Sequence, residues 1–176
     1  MSRVRLLAAP ASRRALVTAA LVVLAVAAYT AAAGDGASEA SAGRVVRVVD
    51  GDTIHVQLDG RRETVRYIGV DTPESVKPGA PVECFAKHAS AFNHRLVDGE
   101  KVRLVADAEA RDRYGRLLAY VYRVRDKRFV NAALVRRGYA VALTIPPNVA
   151  HAADFRHLAS AARRAGRGLW SSCPAS

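Results

Sequence analysis

Between residues 44 and 68 three short apolar runs are divided by two Asp-Gly dipeptides, the punctuation of strands joined by tight turns. Val45, Val46, Val48 and Val49 make the first run. Ile54, Val56 and Leu58 alternate with His55 and Gln57 in the second, the period of a strand with one buried face. Residues 64–68 make the third. Asp50-Gly51 and Asp59-Gly60 separate them, and Asp-Gly suits the left-handed backbone of a two-residue hairpin turn. The stretch therefore predicts an antiparallel meander. Gly69 and Pro73 end the third strand, because proline has no N–H to give a ladder.

Further along, Phe85, Ala89, Phe92 and Leu96 share one face of a helix predicted over 84–97, stopped by Asp98-Gly99. Strands are expected over 102–105 and 117–124. A helix over 130–137 ends at Gly138, and a last one over 150–165 ends at Gly166 and Gly168. Strands followed by helices predict an α+β domain of roughly 130 residues with a single core.

The first 33 residues differ from the rest. Arg3, Arg5, Arg13 and Arg14 precede an alanine-rich apolar run, and no acid appears before Asp35. This is the order of a secretory signal, with Ala31-Ala32-Ala33 as a cleavage site, and it predicts a secreted or cell-surface protein. An uncleaved membrane anchor is the rival, since the run 15–33 approaches the length needed to span. Residues 34–43 are small and polar and read as a flexible linker, leaving a folded domain over 44–172. The formal net charge is +11, and +7 once the four leader arginines are removed, which favours polyanionic partners. Cys84 and Cys173 are the only cysteines; in an oxidising compartment they suggest a disulfide, with two free thiols as the alternative.

The chemistry-bearing residues cluster at turns. Arg66 opens a strand that runs into Asp71, Thr72, Pro73 and Glu74. Hard oxygen donors beside a fork-shaped cation suit a divalent metal and a phosphate held together, although an acidic Thr-Pro turn with a chance ion pair has the same composition. Asp52 is expected at the start of the second strand. Asp112-Arg113-Tyr114-Gly115-Arg116 forms another turn before an apolar strand.

Together these segments carry a resemblance. DGDT (50–53), RYIGVDTPE (66–74), VECFAKHASAF (82–92), DRYGRLLAYVY (112–122), VNAALVRRGYA (130–140) and GLW (168–170) resemble the thermonuclease family of staphylococcal nuclease-like domains. The resemblance implies a five-stranded OB-type β-barrel with three α-helices, preceded here by the signal or anchor segment. It implies a calcium-dependent nuclease acting on DNA and RNA with little sequence preference. Cleavage would fall at the 5′ oxygen and leave 3′-phosphates. Asp52, Asp71 and the Thr72 carbonyl are the implied Ca2+ ligands. Arg66 and Arg116 would grip the phosphate, and Glu74 would position or deprotonate the attacking water. Tyr114, Arg113 and Lys77 are candidate substrate contacts. Asp50 either supports the metal ligands or serves only the turn. A monomer is the default expectation.

In one place the chain departs from the family pattern. Where the family's type member has two tyrosines, this chain reads Leu143-Thr144-Ile145-Pro146-Pro147-Asn148. Aromatic stacking is worth about 1–3 kcal/mol per base, so looser nucleotide binding is expected. A non-catalytic OB module that binds nucleic acid is the alternative function; such a module has no need for Asp52, Asp71, Glu74, Arg66 and Arg116 at once.

Overall fold

The second turn of the meander forms as Asp59-Gly60 demands, whereas Asp50-Gly51 lies in a four-residue connection between Val48 and Thr53 with neither residue at positive φ. In the computed structural model, which describes residues 40–74, 79 and 81–173, β2 (Thr53–Leu58) and β3 (Arg61–Tyr67) pair antiparallel from Thr53 opposite Arg66 to Leu58 opposite Arg61. Asp59 and Gly60 both hold positive φ, 46° and 80°, as a twisted two-residue hairpin requires. β1 (Ala40–Val48) pairs with β2, with a register shift between Val45 and Arg47 that bends the strand. The expected leader, residues 34–39 of the expected linker, and Lys77 lie outside the described residues.

Next come the two-residue strand β4 (Val70–Asp71), helix α1 (Ala86–Val97), β5 (Lys101–Val105) and β6 (Leu117–Arg123). β5 lies between β1 and β6, and β6 runs parallel to β3 from Val65 opposite Leu117 to Tyr67 opposite Ala119. That contact closes β3-β2-β1-β5-β6 into a five-stranded barrel, which periodicity alone could not reveal. The short β7 (Arg128–Phe129) flanks β6 and leads into α2 (Val130–Arg136). β8 (Val141–Ala142) pairs with β4, and α3 (Ala152–Arg164) and the single turn α4 (Leu169–Ser172) complete the chain. The three longer helices match those expected; α4 is additional.

The barrel interior is filled by the alternating residues of the meander, with Val45, Ile54, Val56, Val65, Tyr67, Val102 and Val121 almost wholly buried. α1 buries Ala89, Phe92 and Leu96, the face that its spacing predicts. α3 contributes Phe155, whose burial is worth about 2–3 kcal/mol. The Phe155 ring lies where a Cβ on Gly69 would stand, and Gly69 also has φ of 79°, so only glycine fits there. Asn131 on α2 is fully buried; it accepts from Val121 N and donates to the Ile68 and Ala119 carbonyls, which fixes α2 against the end of β3.

One boundary is corrected. β1 begins at Ala40, inside the stretch expected to be linker, and Ala40 to Gly43 pair with Val105 to Val102 of β5. Backbone pairing needs no large side chain. At Gly43 none is tolerated, since a Cβ there would meet the Gln57 carbonyl and the Leu58 and Val56 side chains within 2.6 Å. Gly43 thus reflects close strand packing, while Ala40, Ser41 and Ala42 are exposed and pair through backbone alone. Cys84 and Cys173 are joined in a disulfide, with Cα atoms 5.8 Å apart, tying the approach to α1 to the end of α4.

Candidate functional site

The Asp50-Gly51-Asp52 turn delivers the first acid. Asp52 is 4% exposed, so its carboxylate must be satisfied from within. Its Oδ1 accepts from Thr53 Oγ1 at 3.2 Å and faces Arg66 Nε at 3.1 Å. Its Oδ2 accepts from the Thr72 backbone N at 2.8 Å and from Thr72 Oγ1 at 2.9 Å. The turn lies so close to Thr72 that a Cβ on Gly51 would come within 2.6 Å of Thr72 Oγ1. Asp50 Oδ1 accepts from Asp52 N at 2.9 Å.

The turn is also tied to α1. Asn93 Nδ2 donates to the Asp50 carbonyl and Asn93 Oδ1 accepts from Tyr67 Oη, both at 3.0 Å. Asn93 and Tyr67 are buried, and Tyr67 N donates to the Asp52 carbonyl at 2.9 Å. Neither was a candidate from sequence, because an asparagine inside an apolar helix face carries no motif.

Arg66 gathers the second acid. Its Nη1 donates to the Tyr67 and Val70 carbonyls at 2.9 and 2.7 Å, and its Nη2 to Asp71 Oδ1 at 2.7 Å. Carboxylates from two separate β-segments therefore meet on one guanidinium. Asp71 is pushed above the usual carboxylate range by burial, against the pull of Arg66 and with the push of Asp52, Glu83 and Glu74. Asp50 is pushed up to about 6 by burial and by the charge of Asp52.

A cleft of about 520 Å³ opens beside Arg66, lined also by Arg113, Tyr114, Arg116, Leu143 and Ile145. Asp112 sets this edge: it accepts from Tyr114 N and Arg116 N through Oδ1, and from Arg116 Nε at 2.7 Å through Oδ2. Burial raises the Asp112 carboxyl, but the hydrogen bonds from Arg116 and Tyr114 outweigh it and hold the group low. Arg116 is held through Nε, and neither of its Nη groups hydrogen-bonds a described residue. Tyr114 is 68% exposed and lies under the guanidinium of Arg113 at 4.8 Å. Apart from the buried Tyr67, it is the only aromatic side chain among the described residues that line the cleft.

Glu74 follows Thr72 and Pro73 at the end of this arc. Its backbone is braced in both directions by Glu83: Glu74 N donates to Glu83 Oε2, and Glu83 N donates to the Glu74 carbonyl, each at 3.0 Å. Glu83 adjoins the disulfide-bonded Cys84. Its role was invisible in sequence because the partner lies across a loop.

The donor chemistry suits a hard divalent ion. Among the described residues no three His, Cys, Asp or Glu side chains group as a metal site by themselves. Asp52 and Asp71 nevertheless converge on a single cation, Arg66, with Asp50 alongside, so negative charge exceeds positive charge among these four side chains. An ion taking oxygens of both aspartates and the Thr72 carbonyl would relieve that surplus.

The staphylococcal nuclease homologue family matches residues 64–172. A thermonuclease of Staphylococcus hyicus is 42% identical over 128 residues, 73% of this chain and 75% of that protein. A thermonuclease of Staphylococcus intermedius is 50% identical over 104 residues, 59% of this chain and 61% of that protein. Endonuclease YncB of Bacillus subtilis (strain 168) is 42% identical over 127 residues, 71% of this chain and 59% of that protein. The matched stretch thus spans about three-fifths of the latter two. Asp50 and Asp52 precede the family match, so their place in the site rests on their contacts with Arg66 and Thr72. The family match over more than half the chain, and relatives this similar across a barrel that carries these acids and arginines, establish that the chain belongs to the staphylococcal nuclease family.

Proposed function

We propose that the protein is a nuclease that hydrolyses phosphodiester bonds of DNA and RNA with little sequence preference, that it uses calcium, and that it acts outside the cell. The observation that carries this reading is the meeting of Asp52 and Asp71 on Arg66, which lines one cleft together with Arg116. Two acids and two guanidiniums at one opening are what a phosphodiester needs on its two sides.

Asp52, Asp71 and the Thr72 carbonyl would hold the calcium ion, which when bound supplies positive charge against the phosphate oxygens. Arg116, with both Nη groups uncommitted, offers a fork to a phosphate oxygen pair. Arg66 has most of its donors engaged with carbonyls and carboxylates, so its main task is to fix the geometry of the acids, with one Nη2 hydrogen left for the substrate. Glu74 would hold or deprotonate the water in line with the leaving 5′ oxygen. The water oxygen bonds to phosphorus, the bond to the 5′ oxygen breaks, and a 3′-phosphate and a 5′-hydroxyl result. Tyr114 and Arg113 sit where they could flank the terminal phosphate, and the apolar Leu143 and Ile145 give a base little to stack on.

Digestion of plasmid DNA in calcium and then in chelator tests this. Cleavage only in calcium is expected; cleavage that survives chelation would contradict the metal assignment, and no cleavage in either would leave a binding module. In the proposed mature form, residues 1–33 are removed, and an N-terminus at Gly34 in exported protein is the expected result.

A further inference from the structure

A second basic site lies outside the cleft. Gly138 and Gly168 meet backbone to backbone: Leu169 N donates to the Gly138 carbonyl at 2.9 Å, and a Cβ on either glycine would collide with the other segment's carbonyl. Both hold positive φ, 74° and 58°. This contact brings the end of α2 against the turn after α3, and so places Arg136, Arg137 and Arg167 around one concavity of about 470 Å³, with Tyr139 on its wall.

The three guanidiniums are exposed, and none makes an ion pair with a described carboxylate. Arg167 Nη1 donates to the Arg136 carbonyl at 3.2 Å, which orders it and leaves its other donors uncommitted. Arg137 lies over the Phe92 ring at 5.9 Å, and Arg95 over the same ring at 5.6 Å, while Phe92 stacks on Tyr139 at 4.1 Å. The acid nearest the adjoining groove, Asp126, is consumed by Arg123 at 2.6 Å and Arg128 at 3.5 Å. Like charges gathered this closely without counter-charges repel one another, and a polyanion relieves that repulsion.

The chain links this concavity to the acids of the cleft. Tyr139 leads directly into β8, whose Val141 pairs with Asp71. Four extended residues reach at most about 14 Å, and a paired strand adds about 5 Å, so Arg137 lies within roughly 20 Å of Asp71. At about 3.4 Å per nucleotide that is at most about six nucleotides.

We propose that the Arg136, Arg137 and Arg167 concavity is a second phosphate-binding site that grips the nucleic-acid strand several nucleotides away from the bond being cut. It rests on the nuclease reading for the identity of the polyanion. The site raises the affinity for long strands and leaves the chemical step alone.

The test compares the full chain with the triple variant Arg136→Gln, Arg137→Gln, Arg167→Gln, and with the matching triple lysine variant. Binding of a fluorescent single strand of about 30 nucleotides is measured in chelator across a salt series, where no cleavage is needed. Each lost phosphate contact removes about 0.7 from the slope of log affinity against log salt, so the glutamine variant should lose about 2. Its dissociation constant at low salt should rise roughly tenfold, and the lysine variant should keep the wild-type slope. Turnover of a dinucleotide in calcium should be unchanged in both variants. An unaltered slope, or an equal loss on the dinucleotide, would overturn the proposal. A wild-type chain that binds the strand and never cleaves would instead overturn the nuclease reading while the slopes still decide this site.

Discussion

Arg66 and Arg116 look equivalent in sequence and are not equivalent in the fold. Arg66 touches two carboxylates and two carbonyls from a largely buried position, with its side chain 15% exposed. Arg116 is anchored within its own turn, by Asp112 and over the Tyr114 ring at 5.5 Å. Arg66→Gln should therefore lower stability, by about 3 kcal/mol, because it leaves Asp52 buried without its cation. Arg116→Gln should leave the melting temperature nearly unchanged while activity falls steeply. Paired thermal melts and rates check this; equal destabilisation by the two would refute the distinction. Asp107 offers a pH readout remote from these acids. Burial raises its carboxyl, but donors from Ala150 N, Tyr120 Oη and Ala108 N outweigh that and hold it below its ordinary value. Its contribution to stability is therefore complete above the ordinary carboxylate pKa and fades as pH falls through the lowered one. The stability gap between wild type and Asp107→Ala should be full at neutral pH and close in acid; a gap that does not vary with pH would refute it.

Between elements, the arrangement depends on braces that no motif announces. The loop after β4 is closed at its base by Glu74 and Glu83, and the next residue, Cys84, is held by Cys173 at the end of α4. Reduction, or Cys173→Ser, should thus lower kcat more than it weakens calcium binding, because Glu74 is displaced while Asp52 and Asp71 stay in the barrel. Activity assayed with and without reductant, beside a calcium titration, separates these effects; unchanged kcat in fully reduced protein would contradict the brace. Asn93 plays the matching part on the other side. Asn93→Leu removes a bridge between α1, the Asp50 carbonyl and Tyr67, and should cost about 2 kcal/mol because Tyr67 Oη is left buried without a partner.

Across the entire domain, the strands and helices were legible because apolar period and glycine punctuation agreed with them. The hairpin at Asp59-Gly60 and the buried face of α1 are examples. The start of β1 was not, since Ala40 to Gly43 pair through backbone alone and look like a tether. Barrel closure was legible only through the family resemblance, because the parallel contact of β3 with β6 joins segments about fifty residues apart and leaves no local pattern. The acids and arginines stood out through their turns. Their distant supports did not: Asn93 and Glu83 act across space, and polar residues in helices or loops are usually only solvated. The central claim is that these supported side chains cut phosphodiesters, with Glu74 acting on the water. Rates of cleavage of one end-labelled oligonucleotide in calcium, by wild type and by Glu74→Gln, test it most directly. The account expects 3′-phosphate ends and a fall in rate of about two orders of magnitude or more in the variant; equal rates, or 5′-phosphate ends, would contradict it.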